Sequence, residues 1–245
     1  MADNTFVRIP LAAESLSFED RIREANARKA EGNDYFRKGD WQEALSTYES
    51  AIGFLPKKKT EDKRPDTPSR EADVEEDVPS QGAQASAGSA GSTQEDPDPE
   101  TEKACSTLRS VLNANIGACH VKSGDHKQAV EACTRALLDD PKYVKALQRR
   151  VASNEILDTW SSLSSAQEDY NTLLNLLPSG PETRDTQSKI QKLKPRLEAA
   201  QKRETTEMLG KLKTLGNSIL GNFGLSTDNF QFEPNGQGGY SVNFK

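Results

Sequence analysis

Lysine, arginine and asparagine side chains all donate hydrogen bonds to carboxylate oxygens. Five of them recur in this chain at matching intervals: Lys29, Asn33, Asn115, Lys145 and Arg149. Lys29 and Asn33 are four residues apart, as are Lys145 and Arg149, so each pair shares one helix face. Asn115 lies between the two pairs in the chain. Two lysines, an arginine and two asparagine amides on one surface make a binding site for carboxylates, not a catalytic centre. A free C-terminus beside an aspartate presents two carboxylates and suits this set. Charge-assisted bonds of this kind contribute roughly 1.5–3 kcal/mol each when well made.

The elements that must position these residues are repeats. The segment EGNDYFRKGDWQEALSTYESAIGFLP aligns with NIGACHVKSGDHKQAVEACTRALLDDP. Gly32 precedes Ala44, Ala51 and Pro56 by 12, 19 and 24 residues, and Gly117 precedes Ala129, Ala136 and Pro141 by the same intervals. A third copy runs from Tyr143 to Pro178, with Val151 lying 34 residues after Gly117. Its Ala166 and Pro178 arrive three residues late, which places a three-residue insertion in the turn near Ser161–Ser164. Small residues let two helices cross closely, and the proline ends one hairpin before the next. This 34-residue unit resembles the tetratricopeptide repeat. The resemblance implies an all-α solenoid of three helical hairpins with a C-terminal capping helix. The first helix of each hairpin would line the inner wall, so all five side chains would meet in one groove.

At those positions the resemblance becomes more specific. Lys29–Asn33, Asn115 and Lys145–Arg149 match the dicarboxylate clamp of co-chaperone tetratricopeptide domains, which grip the C-terminal Glu-Glu-Val-Asp of the cytosolic 70- and 90-kDa heat-shock chaperones. The resemblance implies that Lys29, Asn33 and Asn115 hold the terminal carboxylate. Lys145 and Arg149 would reach the aspartate side chain and nearby backbone. The segments RKAEGNDYF and YVKALQRR look like that subgroup, and EMLGKLKTLGNSILGNFGLSTDNFQ resembles the tail of the tetratricopeptide repeat protein 1 family. The similarity covers about residues 20–56 and 102–245. Ile116 and His120 depart from it, where an arginine and a larger aromatic are common. Both bear on which residues upstream of the terminal aspartate the pocket accepts. Arg150, beside Arg149, reads as an ordinary solvated residue.

Composition sets bounds on function. A hydrophobic content of 33% and a charged content of 29% suit a soluble helical chain with a modest core. The first nine residues hold no apolar run like a signal peptide, and no stretch approaches the ~18 apolar residues of a membrane helix. Cys105, Cys119 and Cys133 are 14 apart, with no zinc-type pairing, and read as free thiols in helix packing. That points to a reducing compartment and a cytoplasmic location. The net charge of −6 is concentrated: residues 57–103 hold 7 Lys/Arg and 13 Asp/Glu, while residues 104–245 hold 18 and 15. This argues against nucleic acid as a partner and is compatible with an acidic peptide. The two histidines, His120 and His126, have no nucleophile or metal partner at motif spacing, so no enzyme, metal or cofactor is expected. Cys119 and His120 face different sides of one helix and form no dyad.

Along the chain, residues 1–17 read as a flexible arm and 18–56 as the first repeat, with Ser17 as N-cap and Asp20 three residues on. Residues 57–101 have almost no large apolar residue and read as a disordered acidic insert. Two readings of the insert stand side by side: a regulatory segment with Thr60, Thr67, Ser69 and Ser80 as phosphorylation sites, or a neutral insertion. Folding of the acidic insert over the basic groove is a further expectation. The second and third repeats occupy 102–178 and capping helices 179–223. There Pro195 either starts a new helix or kinks a continuous one. Leu209, Leu212, Leu215, Ile219 and Leu220 lie on one apolar face, expected to cover the last hairpin. In the tail, 224–245, alternating aromatic residues flank PNGQGG, a turn signal, so a short β-hairpin or extended strand is expected there. The tail is a candidate surface for a second protein. The expected function is a co-chaperone adaptor. The alternative is a scaffold for another acidic C-terminus or a signalling protein.

Overall fold

The structure, a computed structural model, describes residues 16–56, 97–223, 225–227, 230–234 and 240–244. Residues 1–15 of the expected arm, most of the expected acidic insert with its four candidate phosphorylation sites, and the PNGQGG turn centre lie outside the described residues. Three antiparallel hairpins follow one another: α1 (Phe18–Lys38) with α2 (Trp41–Gly53), α3 (Pro99–Ser123) with α4 (His126–Asp139), and α5 (Val144–Leu157) with α6 (Trp160–Leu176). Then come one long helix, α7 (Pro181–Leu220), and a two-stranded antiparallel hairpin, β1 (Phe230–Pro234) and β2 (Tyr240–Phe244). Each helix packs on its sequence neighbours, the one-dimensional order of a solenoid.

Local sequence sets the helix ends. Ser17 caps α1 as expected, its hydroxyl accepting from the Asp20 amide (3.2 Å) and donating to the Asp20 carboxylate (2.8 Å). Gly39 and Gly124 end α1 and α3 at φ of 91° and 78°, a left-handed turn that a Cβ would strain. The Asp98 carboxylate accepts from the Glu100 and Thr101 amides, and Pro99 occupies the first turn. These features start α3 at Pro99, so the last residues of the expected 57–101 insert are helical. The third hairpin also differs from expectation. Its turn is only Asp158–Thr159, and the three extra residues lengthen α6 to 17, against 13 in α2 and 14 in α4. Thr159 and Ser162 cap each other reciprocally and nucleate that extra turn of helix.

Packing explains the repeat signature. A Cβ built on Gly32 would lie 2.7 Å from the Tyr48 ring, and one on Gly117 would lie 2.6 Å from Cys133 Sγ. Both contacts join a small residue on a first helix to the residue 16 further on, on the second. The core forms two connected clusters. One centres on Tyr48, Leu112, Ile116 and Cys119, the other on Leu147, Leu163, Tyr170 and Leu193. All three cysteines are buried and free. At the joint spanned by the insert, buried Arg109 donates to the Pro56 carbonyl (2.8 Å), to Glu102 (2.8 Å) and to Asp139 (3.2 Å).

Helix α7 is continuous through Pro195, which decides between the two readings of that proline: the capping segment is one helix. Only its first half caps the solenoid. Thr186, Ile190, Leu193 and Ala200 are buried. Arg196 donates to Asp158 Oδ1 (2.7 Å), Arg203 to the Asp158 carbonyl (2.6 Å), and Glu204 accepts from the Trp160 amide (2.6 Å). Beyond Glu204 the helix is uncovered, and Leu209, Leu212, Leu215 and Ile219 are 57–61% exposed. The expectation that this apolar face covers the last hairpin is therefore incorrect. The length needed to cover α6 is used up before the stripe begins. The expected C-terminal hairpin is present, with Phe230 opposite Phe244 and Phe232 opposite Val242.

Candidate functional site: a donor-rich groove on the first helices

The close crossing at Gly32 positions the centre of the site. It lets the Tyr48 ring lie against α1, and from there the Tyr48 hydroxyl donates to Asn33 Oδ1 at 2.7 Å. Asn115 Nδ2, from α3, approaches the same oxygen at 3.4 Å. Both bonds engage Asn33 on its acceptor side, so the Asn33 Nδ2 donors remain uncommitted. Arg149, from α5, donates through Nη1 to the Ala114 carbonyl at 2.7 Å, one residue before Asn115. A guanidinium has five N–H donors, so most of them stay available. Three of the five expected residues are thus drawn together by three separate hairpins.

The two lysines sit one helical turn before these residues. Lys29 donates to Asn26 Oδ1 at 2.8 Å on α1, and Lys145 is exposed on α5. Among the described residues, no hydrogen bond joins either lysine to Asn33, Asn115 or Arg149. Lys29, Lys145 and Arg149 also have no carboxylate within ion-pair distance among the described residues. Arg150 behaves in the opposite way. It is half-buried and grips Asp169 with two bonds, Nε at 2.8 Å and Nη2 at 2.6 Å, while Nη1 donates to Thr134. Arg150 is therefore not the solvated residue its sequence position implies; it is a structural tie between the third hairpin's helices.

Burial governs the titrating groups around the site. It pushes the Tyr48 hydroxyl up to about 12, against a weaker opposing pull from Arg149. The hydroxyl therefore stays a donor at ordinary pH. Burial also pushes the Cys119 and Cys133 thiols up to about 11, with Arg149 opposing in both cases. His120 is shifted down by burial, which outweighs Asp125 and Glu49. Such thiols are poor nucleophiles. Ile116, one of the two departures from the expected clamp pattern, is 2% exposed and belongs to the core.

Beside the donor cluster runs an open groove of about 800 Å³ between α1 and α3. Ile22, Ala104, Leu108 and Val111 give it an apolar floor, and Lys29 and Lys103 stand on its walls. α3 runs to 25 residues, against 14 for α5, and its first half lines the groove. Sequence reasoning missed Tyr48 and Asn26, the two residues that hold Asn33 and Lys29. The available signal was position: Tyr48 follows Gly32 by the same 16 residues that separate Cys133 from Gly117.

The chain matches no protein-family profile. It is 28% identical over 163 residues to FK506-binding protein 59 of Drosophila melanogaster, covering 66% of this chain and 27% of that one. It is 29% identical over 159 residues to human mitochondrial import receptor subunit TOM34, covering 65% of this chain and 36% of that one. The chain thus spans about a third or less of these curated relatives. Among solved structures it resembles the C-terminal TPR-containing domain of a Plasmodium falciparum FK506-binding protein. The TM-score is 0.52 at 20% identity, covering 78% of this chain and 99% of that one. The fold is a tetratricopeptide-repeat solenoid. Among the described residues, no helix is long and apolar enough to cross a membrane.

Proposed function

We propose that this protein is an adaptor of the tetratricopeptide repeat protein 1 type. Its groove holds the acidic C-terminal tail, ending in Glu-Glu-Val-Asp, of cytosolic 70- or 90-kDa heat-shock chaperones. One observation carries the reading: three cations and two amides stand on the first helices of three hairpins, and among the described residues the cations have no carboxylate partner. Two other arginines, Arg109 and Arg150, are instead neutralised by carboxylates within the fold. A cluster of uncommitted donors is arranged for a ligand that brings its own negative charge.

In this arrangement Asn33 and Asn115 bind the terminal carboxylate, with Lys29 beside them. Arg149 and Lys145 bind the aspartate side chain and adjacent backbone. The upstream residues lie along the α1–α3 groove, whose apolar floor favours aliphatic side chains. Among the described residues the site holds no catalytic group, so the effect on a chaperone in this reading is recruitment or competition.

Calorimetric titration with a peptide ending in Met-Glu-Glu-Val-Asp tests the proposal. The amidated peptide and the Lys145→Ala protein serve as controls. Micromolar binding, about −8 kcal/mol, that is lost in both controls is the expected result. Absence of binding by a folded protein refutes it. Equal binding of unrelated acidic C-termini favours the scaffold alternative.

A further inference from the structure

We propose that the binding groove does not end at the donor cluster: Lys103, on the part of α3 that overhangs the third hairpin, selects an acidic residue about five or six positions before the tail's terminal aspartate and disfavours a basic one. The inference rests on the peptide-binding reading above and deepens it, by naming what the site reads upstream of the last five residues.

The overhang follows from the repeat register. Ala25, Ser110 and Val144 each stand seven residues before the matching positions Gly32, Gly117 and Val151. Helix α5 begins at Val144 itself, whereas α1 begins seven residues before Ala25 and α3 eleven before Ser110. At 1.5 Å per residue, α3 therefore projects about 16 Å beyond the level at which α5 starts, and α1 about 10 Å. The open groove of about 800 Å³ lies between these two overhangs, where α5 does not reach.

The overhang groove is continuous with the donor cluster. Lys29 belongs to both. On α3, Val111, Thr107 and Lys103 precede Asn115 at successive steps of four residues, so all four share one face. Leu108, 6% exposed, lies in the floor, while Lys103 and Thr107 stand exposed above it. Glu102, next to Lys103 in the chain, is committed to Arg109. Among the described residues, Lys103 has no carboxylate within ion-pair distance, and the groove lining holds one acid, Glu100, near its far end. With Lys29 and Lys103 set against Glu100, the walls favour a negatively charged occupant.

Distance sets which residue is read. Lys103 stands twelve residues before Asn115, about 18 Å along the helix. An extended peptide advances about 3.3 Å per residue, so a tail anchored at Asn115 passes Lys103 about five or six residues before its end. Glu100 lies a further turn out, so the acidic preference is confined to that stretch. An exposed lysine acts here through charge alone, most visibly at low salt.

Calorimetry with three peptides that share their last five residues tests this. They begin with Asp-Asp, Ala-Ala or Arg-Arg and continue Met-Glu-Glu-Val-Asp. At low salt the unaltered protein should bind the aspartate peptide about three- to tenfold tighter than the arginine peptide, with the alanine peptide between them. Lys103→Glu should reverse that order. Each ratio is taken within one protein, so a change in folding or in the clamp cancels. Equal affinity for the three peptides, or a preference that Lys103→Glu does not alter, overturns the proposal and leaves the clamp standing. Binding of none of the three by a folded protein overturns the clamp reading and this proposal with it.

Discussion

Tyr48 contacts the proposed ligand through nothing but Asn33, so replacing it isolates the value of orienting one amide. Tyr48→Phe keeps the ring against Gly32, where the side chain is 1% exposed, and deletes only the hydroxyl that donates to Asn33 Oδ1 at 2.7 Å. A neutral hydrogen bond contributes about 0.5–1.5 kcal/mol net. Asn33 is half-buried, so water reaches its oxygen and the fold loses at most this much. The effect on peptide binding comes from the amide. With its oxygen held, Asn33 presents two N–H donors; without the hydroxyl, only the longer 3.4 Å contact from Asn115 opposes a flip. Affinity should fall about two- to tenfold, or about 0.4–1.4 kcal/mol. Calorimetry of four proteins decides the matter: the unaltered protein, Tyr48→Phe, Asn33→Ala and the double variant. Asn33→Ala should cost about 1.5–3 kcal/mol of binding, and Tyr48→Phe should cost nothing further in its background. Equal losses in both backgrounds refute the orienting role.

Four other outcomes follow from the same contacts. Arg150→Ala strands the buried Asp169 carboxylate and should destabilise the fold by about 3–5 kcal/mol in urea titration, whereas Arg149→Ala should abolish peptide binding with less than about 1 kcal/mol lost. Gly117→Ala drives a methyl into Cys133 Sγ and should cost about 1–3 kcal/mol, recovered largely by adding Cys133→Ala. Cys119 and Cys133 should resist alkylation at pH 8 and react only in denaturant, as read by mass spectrometry. Burial lowers the affinity of His120 for a proton in the fold, so the unfolded chain binds that proton first. Its contribution to stability is therefore full above about pH 6.5 and is lost as pH falls toward the depressed folded value. His120→Asn should flatten the decline in melting temperature between pH 7.5 and 5 relative to the unaltered protein.

The repeat spacing was legible because it encodes contact. Gly32 and Gly117 are glycine for the side chains that press on them 16 residues on, and those contacts fix how each hairpin closes. Asn115 and Arg149 converge because one such 34-residue interval separates them, and Asn33 joins them across the insert through its bond from Asn115. Other features depend on partners distant in the chain. Arg149 and Arg150 are adjacent and chemically alike, and only the position of Asp169, 19 residues on, makes one a tie and leaves the other available. The late Ala166 and Pro178 revealed three extra residues but not that the Thr159–Ser162 cap would wind them into helix. The stripe on α7 was visible as a pattern, but pattern alone does not reveal how far α6 extends to cover it.

Arg109 gives the interrupted joint a mechanical character. A solenoid couples only neighbouring units, so a break between the first and second hairpins would ordinarily split it into two independently melting pieces. The guanidinium holds the Pro56 carbonyl on one side of the break and Glu102 and Asp139 on the other. This rivet adds to the core packing of α2 against α3, which also spans the break. The length of the insertion becomes a nearly free variable: doubling it adds only about 0.6 kcal/mol of closure entropy. Between its first two hairpins, the chain can carry inserted sequence of almost any size while the hairpins on either side still fold as one cooperative rod.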